Sequence, residues 1–261
     1  MRKDLPKILN LGKHLGFKQY VSTNGTLVTD YLAKVLANTC DGVDVSIDGL
    51  EQTHDRIRGH GTFRRALNAI RTLNKYKAGI ASIGVTIMRL NFRELPALCT
   101  LAENLRCGIS IQPIISTGVV FPRGYLLNEW LLFRESDIHE LEEVIMLCLN
   151  QLLKNVSQPY LRIVVSYIKG NLRRKCIAGY LKLTIDSQGH IYPCSLWDKA
   201  IAKYVRGRLR KIWRSREFNE ARLKMLSCNK CALGCYEPDN ITFNFPLLRL
   251  SSELRRALRK A

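Results

Sequence analysis

The sequence predicts an α/β fold: a parallel sheet flanked by helices, then a small cysteine-rich module of β-hairpin and short helices. Two observations carry this. Between Lys18 and Ile115, short runs rich in β-branched residues alternate with amphipathic helical patterns. Beyond Ile168 the composition shifts, and five cysteines crowd the last third of the chain: Cys176, Cys194, Cys228, Cys231 and Cys235. The expected division is therefore 1–168 and 169–261.

Each element has its own reason. Leu5, Ile8, Leu9, Leu11 and Leu15 form a helical stripe that Gly16 stops. Lys18–Ser22 is a short strand running into Thr23-Asn24-Gly25, a turn whose Asn and Gly tolerate positive φ. Thr29–Leu36 follows as a helix, and Gly42–Ile47 as an apolar strand ending at the turn signal Asp48-Gly49. Phe63, Ala66, Leu67, Ile70 and Leu73 mark one side of a helix over Thr62–Leu73. Ile80–Met88 reads as a buried strand, Phe92–Leu105 as a helix with Pro96 near its start, and Ile109–Ile115 as the next strand. Such alternation implies right-handed β-α crossovers and a parallel sheet covered on both faces.

Near Ser116 the rhythm breaks. Gly118–Arg123 reads as a loop, and the aromatics Phe121, Tyr125, Trp130 and Phe133 line either a pocket or core. A capped helix spans Ser136–Lys154. Tyr180–Ile185 and His190–Tyr192 flank Asp186-Ser187-Gln188-Gly189 as a hairpin, two short helices cover Arg208–Arg214 and Glu217–Met225, and Leu247–Lys260 is a basic amphipathic tail.

Composition narrows the function classes. No apolar stretch is long enough to span a bilayer, and the basic N-terminus lacks the apolar core of a signal peptide, so the cytoplasm is the expected compartment. The net charge of +19 invites nucleic acid, but the excess is dispersed, with local concentrations at Arg173–Lys175, Lys203–Lys211 and Arg255–Lys260. No aromatic-interleaved basic stripe accompanies it. Nucleic acid is therefore not the expected partner.

The chemistry lies in the thiols. Cys228, Cys231 and Cys235 read C-x2-C-x3-C, and Cys176 and Cys194 bracket the expected hairpin. Thiolates are soft ligands, so convergent cysteines without a secretion signal favour an iron–sulfur cluster or zinc over disulfides. Five thiols compete for four positions; the expected set is Cys176, Cys194, Cys228 and Cys231, with Cys235 as the main substitute. Cys40, Cys99, Cys107 and Cys148 stand apart and read as small buried hydrophobes.

Three segments then resemble radical S-adenosylmethionine (SAM) enzymes: VSTNG (Val21–Gly25), VDVSIDG (Val43–Gly49) and THDRIRGHGTF (Thr53–Phe63). CIAGYLKLTIDSQGHIYPC, GRLRKIWRS and CNKCALGC resemble the SPASM/twitch extension found on many of them. The resemblance implies a partial (β/α) barrel of the radical SAM type, a cytoplasmic iron–sulfur oxidoreductase, and an auxiliary [4Fe–4S] cluster on the C-terminal cysteines. It also implies a nucleoside site at the strand ends, with Ser46 and Asp48 facing the ribose, Asn24 nearby and Arg58 toward the methionine carboxylate. Turn chemistry alone also selects Asn24 and Asp48, and Arg58 reads equally as a surface charge.

The family's C-x3-C-x2-C loop, whose thiolates hold the SAM-cleaving cluster, is not found in these 261 residues. The expectation is an N-terminally truncated enzyme, with a piece complemented by another chain or a decayed relative as the alternatives; it is not competent alone and uses SAM only if the missing segment is supplied. A reductant protein and an unknown substrate complete its expected partners. Two other readings stay open: a zinc-stabilised basic module that binds nucleic acid, and a catalytically inactive cluster-carrying partner subunit.

Overall fold

The computed structural model describes residues 2–115, 129–151 and 158–234. The chain folds as two units, one of Met1–Ile114 with Trp130–Gln158, the other of Ile115–Glu129 with Pro159–Ala261. The expected loop over Gly118–Arg123, the basic tail and Cys235 lie outside the described residues.

In the first unit, α1 (Leu5–His14) leads to β1 (Tyr20–Thr23), α2 (Asp30–Thr39) and β2 (Gly42–Ser46). Next come α3 (Glu51–Arg58), α4 (Thr62–Tyr76), β3 (Ala81–Ile87), a 3-10 turn (Phe92–Glu94), α5 (Leu95–Asn104) and β4 (Gly108–Pro113). The 3-10 turn Glu135–Asp137 opens α6 (Ile138–Gln151). The sheet is parallel throughout in the order β1-β2-β3-β4, with Val21 beside Val43, Val45 beside Ile83 and Ile83 beside Ile109. Strand, helix, strand in one rotational sense is the crossover that the alternation predicts.

Only one face of this sheet is apolar. Val43, Val45, Ile47, Ile83, Val85 and Ile87 are each no more than 2% exposed. Each such side chain contributes about 1.5–3 kcal/mol when removed from water. α4 lies on β2 and β3, α5 on β3 and β4, while α2 packs on α4, α1 on α2 and α6 on α5. The opposite face carries Ser22, Asp44, Ser46, Ser82, Thr86 and Ser110, all half-buried or exposed. The expected two-sided apolar sheet is thus corrected: the strands alternate with period two, as half-covered strands do. The turn after β1 uses Gly25 at φ +77°, where a Cβ would meet Ala66 Cα at 3.0 Å, so no other residue fits without displacement.

α3 was not expected as a helix. Its sequence, EQTHDRIR, buries only His54, so it lacks an apolar stripe. It is held instead from outside: Glu94 accepts from the Leu50 backbone N–H at 2.6 Å and from Thr53 Oγ1 at 2.5 Å. A carboxylate there satisfies an orphan donor and complements the positive end of the helix.

The second unit holds α7 (Gln158–Ile168), α8 (Ala178–Leu181), β5 (Thr184–Ile185), β6 (His190–Tyr192), β7 (Ala202–Lys203), α9 (Leu209–Trp213) and α10 (Arg216–Met225). β5, β6 and β7 form an antiparallel sheet, with Ile185 beside Ile191 and Ile191 beside Ala202. The hairpin is there, but Tyr180 and Leu181, expected in its first strand, are helical. β7 and α7 were not anticipated. The turn is organised by Asp186: Oδ1 accepts from the Gln188 and His190 backbone N–H groups at 2.8 Å each, and Oδ2 accepts from the Tyr192 hydroxyl at 3.2 Å. Burial raises the pKa of this carboxyl, but these bonds together outweigh it and hold the group at about 2. Among the described residues, no helix is long and apolar enough to cross a membrane.

Candidate functional site

At the carboxyl ends of β2 and β3 the chain builds a closed polar bracket. Asp48 is 2% exposed. Its Oδ2 accepts from Arg58 Nε at 2.5 Å and its Oδ1 from the Thr86 backbone N–H at 2.8 Å. Asn91, also buried, donates through Nδ2 to the carbonyls of Asp48 (2.6 Å) and Thr86 (2.9 Å) and accepts from the Met88 backbone N–H at 2.8 Å. Two strand ends are thereby stitched side by side. Asn91 carried no sequence signal.

His54 completes the bracket from α3. Its Nδ1 accepts the Asp48 backbone N–H at 3.1 Å, which leaves the ring proton on Nε2. That Nε2 is buried without a hydrogen-bond partner among the described residues, and the ring lies 5.8 Å from that of Phe63. Burial pulls the imidazole pKa below its usual range, only partly offset by the Asp48 charge. The sign follows from proton counting. Below about pH 6.5 the unfolded chain takes up a proton that the fold excludes, so this stability is present above that value and lost as pH falls towards the folded pKa. Urea titrations between pH 7.5 and 5 are expected to show falling stability, with a shallower fall in His54→Asn. Identical slopes in the two proteins refute the assignment.

The four residues expected at a nucleoside site fall into two pairs. Asp48 and Arg58 meet directly. Asn24 and Ser46 each lie one residue past the Thr23–Val45 register pair on neighbouring strands. Asn24 is exposed, and its Oδ1 accepts from the Thr26 backbone N–H at 3.1 Å, an Asx turn. Ser46 is half-buried on the polar face beside Gly84, at which a Cβ would come no closer than 3.7 Å to any neighbour. Sequence reasoning did not single out Asp44 on this same face, which accepts from the Ser82 and Ser110 hydroxyls. The signal was present in the period-two alternation of β2.

In the second unit, Cys176, Cys194 and Cys228 come together in one apolar cluster with Ala178, Met225 and Trp197. They arrive from separate elements: Cys176 precedes α8, Cys194 follows β6, and Cys228 follows α10, with its N–H on the Met225 carbonyl at 2.9 Å. α10 reaches α8 because residue 179 is glycine, where a Cβ would stand 2.7 Å from Met225 Sδ. Arg222 pins the same contact. Its Nε donates to the Gly179 carbonyl at 2.9 Å, and its guanidinium lies 4.4 Å from the Trp213 ring and 4.6 Å from that of Phe218. Burial pushes the Cys194 thiol up to about 11, and Cys176 and Cys228 add to the rise.

Cys231 is buried next to Ala232, which packs with Tyr167 and Leu172 and whose carbonyl accepts from the Tyr160 hydroxyl at 3.1 Å. No disulfide joins the described cysteines. Among the described residues, no group of three or more Cys, His, Asp or Glu side chains stands ready to hold a metal ion. The three thiols share a cluster without converging on one point.

Residues 1–102 match the Radical SAM superfamily, and residues 176–236 match SPASM, an iron–sulfur cluster-binding domain. The chain thus carries a radical SAM segment followed, after an interval, by a SPASM segment. It is 38% identical over 106 residues to the Fe-coproporphyrin III synthase of Methanosarcina barkeri, covering 40% of this chain and 26% of that protein. It is 25% identical over 260 residues to the AdoMet-dependent heme synthase of the same organism, covering 90% and 72%. The mycofactocin maturase MftC of Mycolicibacterium smegmatis is 26% identical over 235 residues, covering 84% and 56%. Among solved structures, native anSMEcpe with bound AdoMet superposes with a TM-score of 0.62 at 15% identity, covering 83% of this chain and 64% of that one. At that identity the likeness speaks for the fold alone, a partial radical SAM β/α architecture.

Radical SAM and SPASM membership implies [4Fe–4S] clusters and S-adenosylmethionine as cofactors. The residues of the second unit fit a cluster in kind: soft thiols, free of disulfides, gathered from three segments. On the parallel sheet, a Cβ at Gly84 would meet only ordinary van der Waals contacts, at 3.7 Å and beyond, from Ser110 and Asp44.

Proposed function

We propose that this radical SAM protein is an iron–sulfur oxidoreductase of the SPASM type, with an auxiliary [4Fe–4S] cluster held by cysteines of the second unit. The observation that supports this best is the meeting of Cys176, Cys194 and Cys228 within the segment that matches SPASM. In this reading Cys231 or Cys235 supplies the fourth sulfur. When bound, the cluster supplies a low-potential electron relay beside the substrate or a Lewis-acidic anchor for it. The protein's part is to hold four thiolates in an apolar shell and to limit water there.

The strand-end residues are proposed to serve the nucleoside. Ser46 offers a hydroxyl on the polar face, and Asn24 and the Arg58–Asp48 pair frame the adjoining end of the sheet. Reductive cleavage of SAM needs three further thiolates on a site-differentiated cluster, and no C-x3-C-x2-C motif occurs in these 261 residues. Cleavage therefore depends on thiolates from outside them. Cytoplasmic placement and a reductant protein partner follow from this chemistry, since an oxidising compartment would convert the thiols to disulfides.

Anaerobic reconstitution tests the proposal. About four iron and four acid-labile sulfide per chain are expected, with visible absorption that bleaches on reduction. Stoichiometric zinc without sulfide overturns it in favour of a structural zinc module.

A further inference from the structure

The geometry points to Arg174 as the positioning residue of the thiol site, a guanidinium clamp that fixes the Cys228–Cys231 knuckle against Cys176. Arg174 Nη1 donates to the Cys228 carbonyl at 3.0 Å and Nη2 to the Cys231 carbonyl at 2.8 Å. One planar fork therefore binds the two main-chain acceptors at either end of the C-x2-C segment. Arg174 stands two residues before Cys176, so the clamp joins ligand segments more than fifty residues apart in sequence. The inference rests on the cluster reading above and assigns this chain a residue on which that site depends.

The fork matters because the knuckle is irregular backbone. Residues 228–233 carry no helix or strand; Ala232 is engaged by α7 and Cys228 by the end of α10. A C-x2-C segment left to itself samples many orientations of its two sulfurs. Two parallel charge-assisted bonds on its carbonyls remove that freedom before any iron arrives. Lysine presents a single point charge and cannot span both carbonyls, so it does not replace arginine here. The half-buried cation also sits beside a centre that gains negative charge on reduction, and so favours the reduced state.

Arg174→Met and Arg174→Lys, made in the full chain, separate these effects. In the metal-free protein, mass-mapped iodoacetamide labelling of Cys228 and Cys231 is expected to quicken severalfold in both variants, while buried Cys99 and Cys148 stay protected. After anaerobic reconstitution, both variants are expected to lose about tenfold or more in iron affinity, the usual scale for an outer-shell partner. In the fraction that loads, the midpoint potential falls in Arg174→Met and stays near that of the parent in Arg174→Lys. Unchanged labelling of Cys228 and Cys231 in both variants overturns the clamp, whatever metal the site holds. If the parent protein takes up no iron and sulfide, the cluster reading fails, and the labelling result still decides the clamp.

Discussion

Replacing Cys194 with alanine is expected to abolish the iron–sulfur chromophore while barely disturbing the metal-free fold. The thiol is half-buried beside Cys176 and Cys228, on the loop that leaves β6, and its neighbours are Met225 and Trp197. In the apo-protein the substitution removes one heavy atom from an apolar cluster, a loss of about 1 kcal/mol on the scale of a deleted methyl group. In the loaded protein it removes one of four ligands. Closed thiolate metal sites in small domains are worth about 10 kcal/mol of folding free energy, so most of the stabilisation on loading disappears with it. Two melting curves, with and without reconstitution, measure the difference, and iron analysis accompanies them. Cys148→Ala is the control. Its thiol is buried on α6, in the other unit, so iron content should not change. Full iron and sulfide in Cys194→Ala would remove Cys194 from the ligand set.

That Cys194 would gather with Cys176 and Cys228 was legible in the sequence, and the reason is spacing. Cys228 and Cys231 sit at knuckle distance, and Cys176 and Cys194 flank a turn whose Asp186 and Gly189 dictate a hairpin, whereas Cys99 and Cys148 have no thiol neighbours in sequence. The parallel sheet was legible too, because β3 is seven residues of alternating burial dominated by β-branched side chains. What escaped was whatever depends on partners distant along the chain. α3 has no apolar stripe, and its cap, Glu94, lies 44 residues from Leu50. α7 was hidden by Ile163, Val164 and Val165, a β-branched run that is nevertheless helical, with Leu161 and Val164 fully buried and Tyr167 packed with Leu172 and Ala232. Arg174 adjoins Cys176, yet its acceptors are 54 and 57 residues away. Local pattern carries propensity and burial; it does not say which carbonyl a guanidinium will find.

Asp48 puts the strongest strain on the sequence reading, since one residue there has two duties to reconcile. Both of its carboxylate oxygens are already engaged, by Arg58 and by the Thr86 backbone. Asp48→Ala would leave the Arg58 guanidinium, on a side chain 31% exposed, and a part-buried main-chain N–H without their acceptor at the junction of β2 and β3. Removing one partner of such a pair costs about 3 kcal/mol, because the desolvation penalty of the survivor is left uncompensated. Urea titration of the variant is therefore expected to show a loss of this size, while the chromophore of the second unit is retained. Ser46→Ala supplies the opposite case. Its hydroxyl lies half-exposed on the polar strand face, so stability should shift by no more than about 0.5 kcal/mol. If that face meets the nucleoside, binding of S-adenosylmethionine weakens in Ser46→Ala without loss of fold, and any weakening in Asp48→Ala travels with the loss of stability. A stable Asp48→Ala protein that binds the nucleoside poorly would instead mean that the carboxylate leaves Arg58 to reach the ribose, and the bracket would be a resting arrangement of a binding residue.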